Sequence, residues 1–420
     1  MLNDLFRSGA AWRCRPLQQS PFRRELEEFA GWLRAAHYTT VILRRHLFRL
    51  DRTLRRMPGA APGTTYTVAQ LQTAFGKQRR PTSRLIWYRG TQHAYQRFLR
   101  SQGRLEDSTG DCRFSDLRQR YARHLVEVRG FAGSTLAHHC TTVADFLERG
   151  LRSPQRLRSL TRADVERFVG VRSAEVTRQT LQHTVAALRA FLLWYHDLRE
   201  TSERLDAIDT PLTYRGELPP KALEWSAVQA LLRSIDRDRQ SGERDYAILH
   251  LMAHYGLRPS EIGSLRLDSI DWASNTLRVE QRKTQSDLVL PLAPATVKTL
   301  RRYLRRDRDQ REDADNQVAL FLRERCPIGP LKNTGIYEIF IKCMKESSQD
   351  PGRYSTYSLR HAFAMRLLRR GVGVKAIGDV LGHRDLESTC VYLRLDIDAL
   401  RDVALEVPAA KTSNGGGCHA

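Results

Sequence analysis

Residues 357–395, YSLRHAFAMRLLRRGVGVKAIGDVLGHRDLESTCVYLRL, hold Tyr357, Arg360, His361, His383 and Tyr392 within one short stretch. Each residue type brings its own chemistry. A planar guanidinium donates paired hydrogen bonds to phosphate or carboxylate oxygens and stays charged at any pH a protein meets. An imidazole exchanges protons near neutrality. A phenol is a hydrogen-bonding hydroxyl and, once relieved of its proton, a nucleophile. What needs these groups together is the question, and it is sharpest for Tyr392, nine residues beyond His383.

Residue spacing outlines the helices and strands that carry these side chains. Leu359, Phe363 and Leu367 recur every four residues, which predicts an amphipathic helix with Tyr357, Arg360 and His361 around its first turn. Gly371 and Gly373 end that helix, a second runs over 374–381 and stops at Gly382, and His383 falls just past its end. Asp385 is placed to cap a third helix that carries Tyr392. Upstream, in MAHYGLRPSEIGSLRLDSID (252–271), Gly256 and Pro259 bracket Arg258 at a turn between helices, and Ser260 is a candidate cap for the helix carrying Glu261, Ile262 and Leu265. In SIDWASNTLRVEQRKTQSDLVLPL (269–292), apolar and polar residues alternate around two turns, so a small antiparallel sheet is expected with Lys283 in its second turn. Arg258 alone would read as one surface arginine among 60, and Tyr392 as a core tyrosine. Only nine lysines stand beside those arginines, which makes Lys283 more informative than a turn lysine usually is.

At 420 residues the chain should form two or three domains. Its 69 Lys and Arg against 47 Asp and Glu leave a formal charge of +22, spread along the whole length, which points to a large anionic partner and first of all to nucleic acid. Seven widely spaced cysteines form no C-x-x-C pair and have no histidine at zinc spacing, so free thiols in a reducing cytoplasm are expected and neither metal nor cofactor is implied. No apolar run is long enough for a membrane span, and MLNDLFRSGAAWRCRPLQQ has no signal-peptide core.

Residues 22–101 are helical in pattern, and a later stretch echoes them in the same order. YTTVILRRHLFRLDRTL (38–54) answers FAGSTLAHHCTTVADFL (131–147), TVAQLQTAF (67–75) answers TRADVERFV (161–169), and TQHAYQRFLRSQG (91–103) answers TVAALRAFLLWYH (184–196). The fold class is therefore mainly α with a small antiparallel sheet: a helical module over 1–105, a second over 111–208, a larger domain over 215–408 and a tail over 409–420. The polar segment 103–114 and the proline-bearing segment 209–223 mark the boundaries.

G-L-R-x-x-E around Arg258, a lysine in a strand turn, R-H-x-F-A, L-G-H and a tyrosine nine residues after that histidine occur in this order in tyrosine recombinases, and the chain resembles a phage-type integrase. The resemblance covers roughly 215–408 as catalytic domain and 113–199 as helical core-binding domain. It implies that Arg258 and Arg360 bind the scissile phosphate, that Lys283 and His383 complete the catalytic set, and that Tyr392 is the nucleophile. The chemistry is coherent. Guanidinium groups stabilise the charge that builds on a phosphate under attack, a lysine can protonate a leaving 5′-oxygen where arginine cannot, and a covalent phosphotyrosine conserves bond energy so that religation needs no ATP. One departure stands out: where the family usually has H-x-x-R, this chain has Tyr357-Ser-Leu-Arg360. A phenol is a poor proton acceptor at neutral pH, so Tyr357 makes a weak general base at that position. His361, next along, is a weaker candidate to substitute for that histidine, since its counterpart is common in the family as a structural residue.

The resemblance implies a site-specific DNA recombinase, integrase or transposase that exchanges strands of a mobile element through a 3′-phosphotyrosine, acting in the nucleoid on double-stranded DNA as a homo-oligomer, a tetramer in the synapse, with room for partner recombinases. Residues 397–407, IDALRDVALEV, are an amphipathic candidate for a segment passed to a neighbouring copy. A catalytically silent accessory homologue and a type IB topoisomerase are the competing readings.

Overall fold

The computed structural model describes residues 15–76, 82–106, 114–131, 133–151, 155–198, 201, 203–210, 221–281, 286–308, 318–324 and 328–393. Two compact units emerge, one comprising residues 1–32 and 40–217, the other 33–39 and 218–420.

Two series of helices follow one another over residues 15–197. After a single turn, α1 (Arg15–Gln18), come α2 (Arg23–Ala35), α3 (Thr40–Leu54), α4 (Val68–Gly76) and α5 (Thr82–Ser101). The second series is α6 (Ser115–Glu127), α7 (Gly133–Asp145), running on as a π-helical turn to Leu151, the short α8 (Gln155–Arg158), α9 (Arg162–Glu175) and α10 (Arg178–Asp197). Core positions correspond at a spacing of 92 to 94 residues: Phe22 with Phe114, Leu50 with Val143, Leu71 with Val165 and Phe98 with Phe191 are all buried. Even the caps repeat. Thr67 and Gln70 exchange backbone-to-side-chain hydrogen bonds at the start of α4 (2.9 and 3.2 Å), and Thr161 and Asp164 do the same at the start of α9 (3.2 and 3.4 Å). Corresponding histidines are buried, His46 against Thr91 at 2.9 Å and His139 against Tyr121 at 3.2 Å. The sequence pattern did not reveal a two-residue parallel pairing, β1 (Tyr66–Thr67) with β2 (Leu105–Glu106), which ties the end of the first module back to its middle.

In the second unit, α11 (Trp225–Arg233), α12 (Gly242–Tyr255) and α13 (Pro259–Ser264) lead into an antiparallel sheet of β3 (Ile270–Asp271), β4 (Thr276–Gln281) and β5 (Ser286–Pro291). The expected alternation is present, with Leu277, Val279 and Gln281 buried between exposed Arg278 and Glu280. Then follow α14 (Pro294–Tyr303), α15 (Asn333–Glu346), α16 (Tyr357–Leu368), α17 (Val374–Leu381) and α18 (Glu387–Cys390). Helices α12 and α16 run through the main core beside Leu277, Leu300, Phe340 and Leu359. A smaller cluster of Phe363, Met365, Ile377, Leu381 and Tyr392 joins α16 to α17 and α18. No helix among the described residues is long and apolar enough to cross a membrane.

Candidate active site

Arg258 owes its position to a helix end and a helix start placed back to back. Gly256 closes α12 in the left-handed conformation (φ 64°), where a side chain would collide with Leu381 and Phe363. Pro259 opens α13 at a position that needs no N–H. The cap of α13 is Arg258, whereas the sequence pointed to Ser260, which lies inside the first turn. Glu261 explains why: its carboxylate accepts the Arg258 backbone N–H at 2.7 Å and Arg258 Nη1 at 2.5 Å. Being only 3 % exposed, Glu261 both aims and offsets the arginine.

Arg360, in the first turn of α16, is also buried. Its Nη1 donates to the Gly256 carbonyl at 2.7 Å and its Nη2 to the Leu381 carbonyl at 2.6 Å, so one guanidinium holds the C-terminal carbonyls of two helices, where the partial negative charge lies. Burial, and the neighbouring Arg258, push its pKa down to about 10. It remains a cation at neutral pH.

His383 follows Gly382, which ends α17 with φ 63°. Its Nδ1 lies 2.7 Å from Thr389 Oγ1, and Thr389 is itself buried. A Cβ at Gly378 would press on that same hydroxyl. The ring is thus held by one nitrogen, leaving Nε2 for other partners. Burial and the two arginines lower its pKa to about 4, so it is neutral at pH 7. Gln281, the last residue of β4, occupies the space beside Gly382, with its amide 3.5 Å from the Leu381 carbonyl. The sheet therefore ends at the site. Lys283 lies outside the described residues, as do residues 397–407.

Asp385 accepts the Ser388 N–H at 2.8 Å, the cap read from sequence, but α18 is a single turn and Tyr392 sits two residues past it. Tyr392 is 3 % exposed, and its hydroxyl lies 3.1 Å from His361 Nδ1. Burial raises the phenol's pKa, while Arg360 and Arg258 pull it the other way. Tyr357, at the start of α16, is 47 % exposed. Arg258, Arg360, His383 and Tyr392 are therefore brought together, with Tyr357 at the rim. Sequence reasoning passed over Glu261, Gln281 and Thr389 as site residues. Two of them carried a signal: Glu261 stands three residues after Arg258, the spacing of a capping box, and Thr389 precedes Tyr392 by nearly one helical turn.

No described cluster of His, Cys, Asp or Glu is placed to hold a metal ion. What the arrangement can do is bind an anion between two guanidinium groups of fixed geometry, beside a neutral imidazole and a phenol.

Residues 221–398 match the model of the phage integrase family, and residues 119–197 match that of the phage integrase N-terminal SAM-like domain. Over 318 residues, 74% of this chain and 76% of the relative, the sequence is 33% identical to the integrase/recombinase y4rA of Sinorhizobium fredii. A second S. fredii integrase/recombinase, y4gC, is 38% identical over 196 residues, 46% of this chain and 99% of the relative. In fold, the chain is similar to the XerH site-specific recombinase solved as a post-cleavage complex with a palindromic difH substrate, with a TM-score of 0.54, 13% identity, and coverage of 91% of this chain and 96% of that one. Both matched domains and the long, 33%-identical alignment lead to one conclusion: the chain belongs to the phage integrase family of tyrosine recombinases.

Proposed function

We propose that this recombinase cuts and rejoins DNA through a 3′-phosphotyrosine formed on Tyr392, and that it exchanges strands at the ends of a mobile element. The observation that carries the reading is the placement of the buried Tyr392 phenol against the first turn of α16, its hydroxyl 3.1 Å from His361, the residue that follows buried Arg360. Arg258 and Arg360 bind the non-bridging oxygens and gain strength as charge builds on them. His383, neutral and steered by Thr389, donates through Nε2 to the same phosphate. Lys283 protonates the leaving 5′-oxygen. Tyr357, at the rim, is a hydrogen-bonding residue in the place of the usual histidine.

The domain division we propose is a first helical module over 1–105, a core-binding module over 111–208, the catalytic domain over 215–408 and a tail over 409–420. Repetition of core and caps supports reading the first module as a second copy of the DNA-binding one. A palindromic substrate like that of XerH suits two copies related by a twofold axis. Two such pairs make the tetramer in which strands are exchanged.

The test is a suicide duplex carrying the element's end. Wild type should leave a denaturation-resistant protein–DNA adduct, and Tyr392→Phe should bind the duplex equally well and leave none. An adduct persisting in Tyr392→Phe would sink the assignment.

A further inference from the structure

For Tyr392 to attack phosphorus, its hydroxyl proton must go somewhere. Burial keeps the phenol protonated at neutral pH, so the acceptor has to sit at the hydroxyl itself. Tyr357 is a phenol with the same difficulty, and it stands at the solvent-exposed start of α16. His383 has Nδ1 committed to Thr389. Among the described residues, the basic atom at the Tyr392 hydroxyl belongs to His361: Nδ1 lies 3.1 Å away, with the ring centroids 5.6 Å apart and tilted by 56°. The helix explains the pairing. Arg360 and His361 are consecutive on α16, so they point about 100° apart around its axis. Arg360 reaches the Gly256 and Leu381 carbonyls, and His361 reaches Tyr392.

Resting on the phosphotyrosine reading above, we propose that His361, not residue 357, takes the Tyr392 proton during cleavage and returns it during religation. In the forward step the phenolic O–H bond breaks as the Tyr392 oxygen bonds to phosphorus. The proton goes to His361 Nδ1, and the bond from phosphorus to the 5′-oxygen breaks, that oxygen leaving with a proton from the leaving-group acid. Religation reverses each transfer. The tautomer this requires is neutral His361 with its hydrogen on Nε2 and the Nδ1 lone pair toward Tyr392.

The surroundings fit an acceptor that is empty until needed. Burial and the adjacent Arg360 cation lower the His361 pKa to about 4, so the ring is unprotonated at pH 7. Transfer from a phenol to so weak a base is uphill in the free protein. A phosphate dianion's worth of charge developing between Arg258 and Arg360 offsets the arginine field and raises the basicity of the imidazole, while the phenol's own basicity collapses as its oxygen joins phosphorus. Proton transfer is thereby tied to the attack. A merely structural His361 would need no particular tautomer and no base.

The experiment uses the full chain on the suicide duplex. His361→Asn places an amide oxygen near the Nδ1 position, which keeps a hydrogen bond to Tyr392 but cannot hold its proton. Expected are DNA binding within about twofold of wild type and an adduct-formation rate lower by ~10²–10⁴. A 5′-phosphorothiolate leaving group should not rescue that variant. His361→Asn cleaving at the wild-type rate overturns the proposal while Tyr392 stands, whereas absence of an adduct in the wild type, or an adduct in Tyr392→Phe, removes the phosphotyrosine reading beneath it. Should His361→Asn fail to fold, 15N chemical shifts of the histidine rings in the wild-type protein decide: an unprotonated His361 Nδ1 supports the acceptor, and a proton resident on Nδ1 overturns it.

Discussion

Arg360 Nη1 and the Gly256 carbonyl oxygen lie 2.7 Å apart across 104 residues of chain. With the bond to Leu381, this makes Arg360 a fastener of three helix ends, and the proposed reading adds a second role as phosphate ligand, for which a guanidinium with five N–H groups has donors left after these two bonds. The two roles can be separated by measurement. Arg360→Ala should lower adduct formation more than ~100-fold with DNA affinity changed by a few-fold, because bonds to a phosphate strengthen as it becomes pentacoordinate. It should also cost stability, roughly 1–3 kcal/mol for the Gly256 carbonyl, while the Leu381 carbonyl keeps the Gln281 amide. Arg258→Ala should show the same split in activity and destabilise the fold by removing the guanidinium that pairs with the buried Glu261 carboxylate. Equal losses of cleavage and binding would make both residues ordinary backbone contacts.

Lys283→Arg keeps the charge but replaces a tunable acid with one that does not release its proton. Strand cleavage should fall with little change in binding. A 5′-phosphorothiolate substrate, whose sulfur leaves unprotonated, should restore it. If that substrate fails to rescue Lys283→Arg, the lysine is not the leaving-group acid.

Acid should unfold this protein earlier than its surface charge suggests. His250 is pushed down to about 3 and His46, His361 and His383 to about 4, in each case chiefly by burial. An unfolded histidine titrates near ~6.5. Between these values the unfolded chain binds protons that the folded chain refuses, so stability is full above about 6.5 and falls as pH drops toward 4. Denaturant midpoints measured at pH 7.5, 6 and 5 should decline in that order. A flat series would mean that these rings are solvated in solution.

Much of this was legible in the sequence, and the reason lies in what periodicity encodes. The ends of α16 and α17 were marked by leucine spacing and by Gly382, whose positive φ excludes other residues, and the repeat announced itself through core positions such as Leu71 and Val165. Contacts between distant segments leave no such trace. Nothing in the spacing says that Gln281 packs on Gly382, that Thr389 holds His383, or that His361 reaches across 31 residues to Tyr392. His361 read as a structural residue because only its neighbour in space gives it a partner with a proton to lose.

The first module makes a claim about the length of DNA engaged. Its helix α3 exposes Arg45 and holds Arg44, Arg49 and Arg52 half-buried, with Arg55 and Arg56 exposed just beyond, whereas the corresponding α7 of the second module has no arginine. Val41, Ile42 and Phe48 are exposed on the same helix, which adds apolar surface that a groove wall or a protein neighbour could cover. The arginine content favours DNA, because phosphate contacts are additive and each contributes about 0.9 to the slope of log K against log salt. Deleting residues 1–105 should therefore shorten the footprint on the flanking DNA and flatten the salt slope, while cleavage of a core site by the remaining protein stays measurable. Charge reversal confined to α3, Arg45→Glu with Arg52→Glu, should reproduce the flatter slope without shortening the chain. If footprint and slope are unchanged and multimer formation is lost instead, the first module serves assembly between copies of the recombinase, and the apolar residues of α3 are its contact.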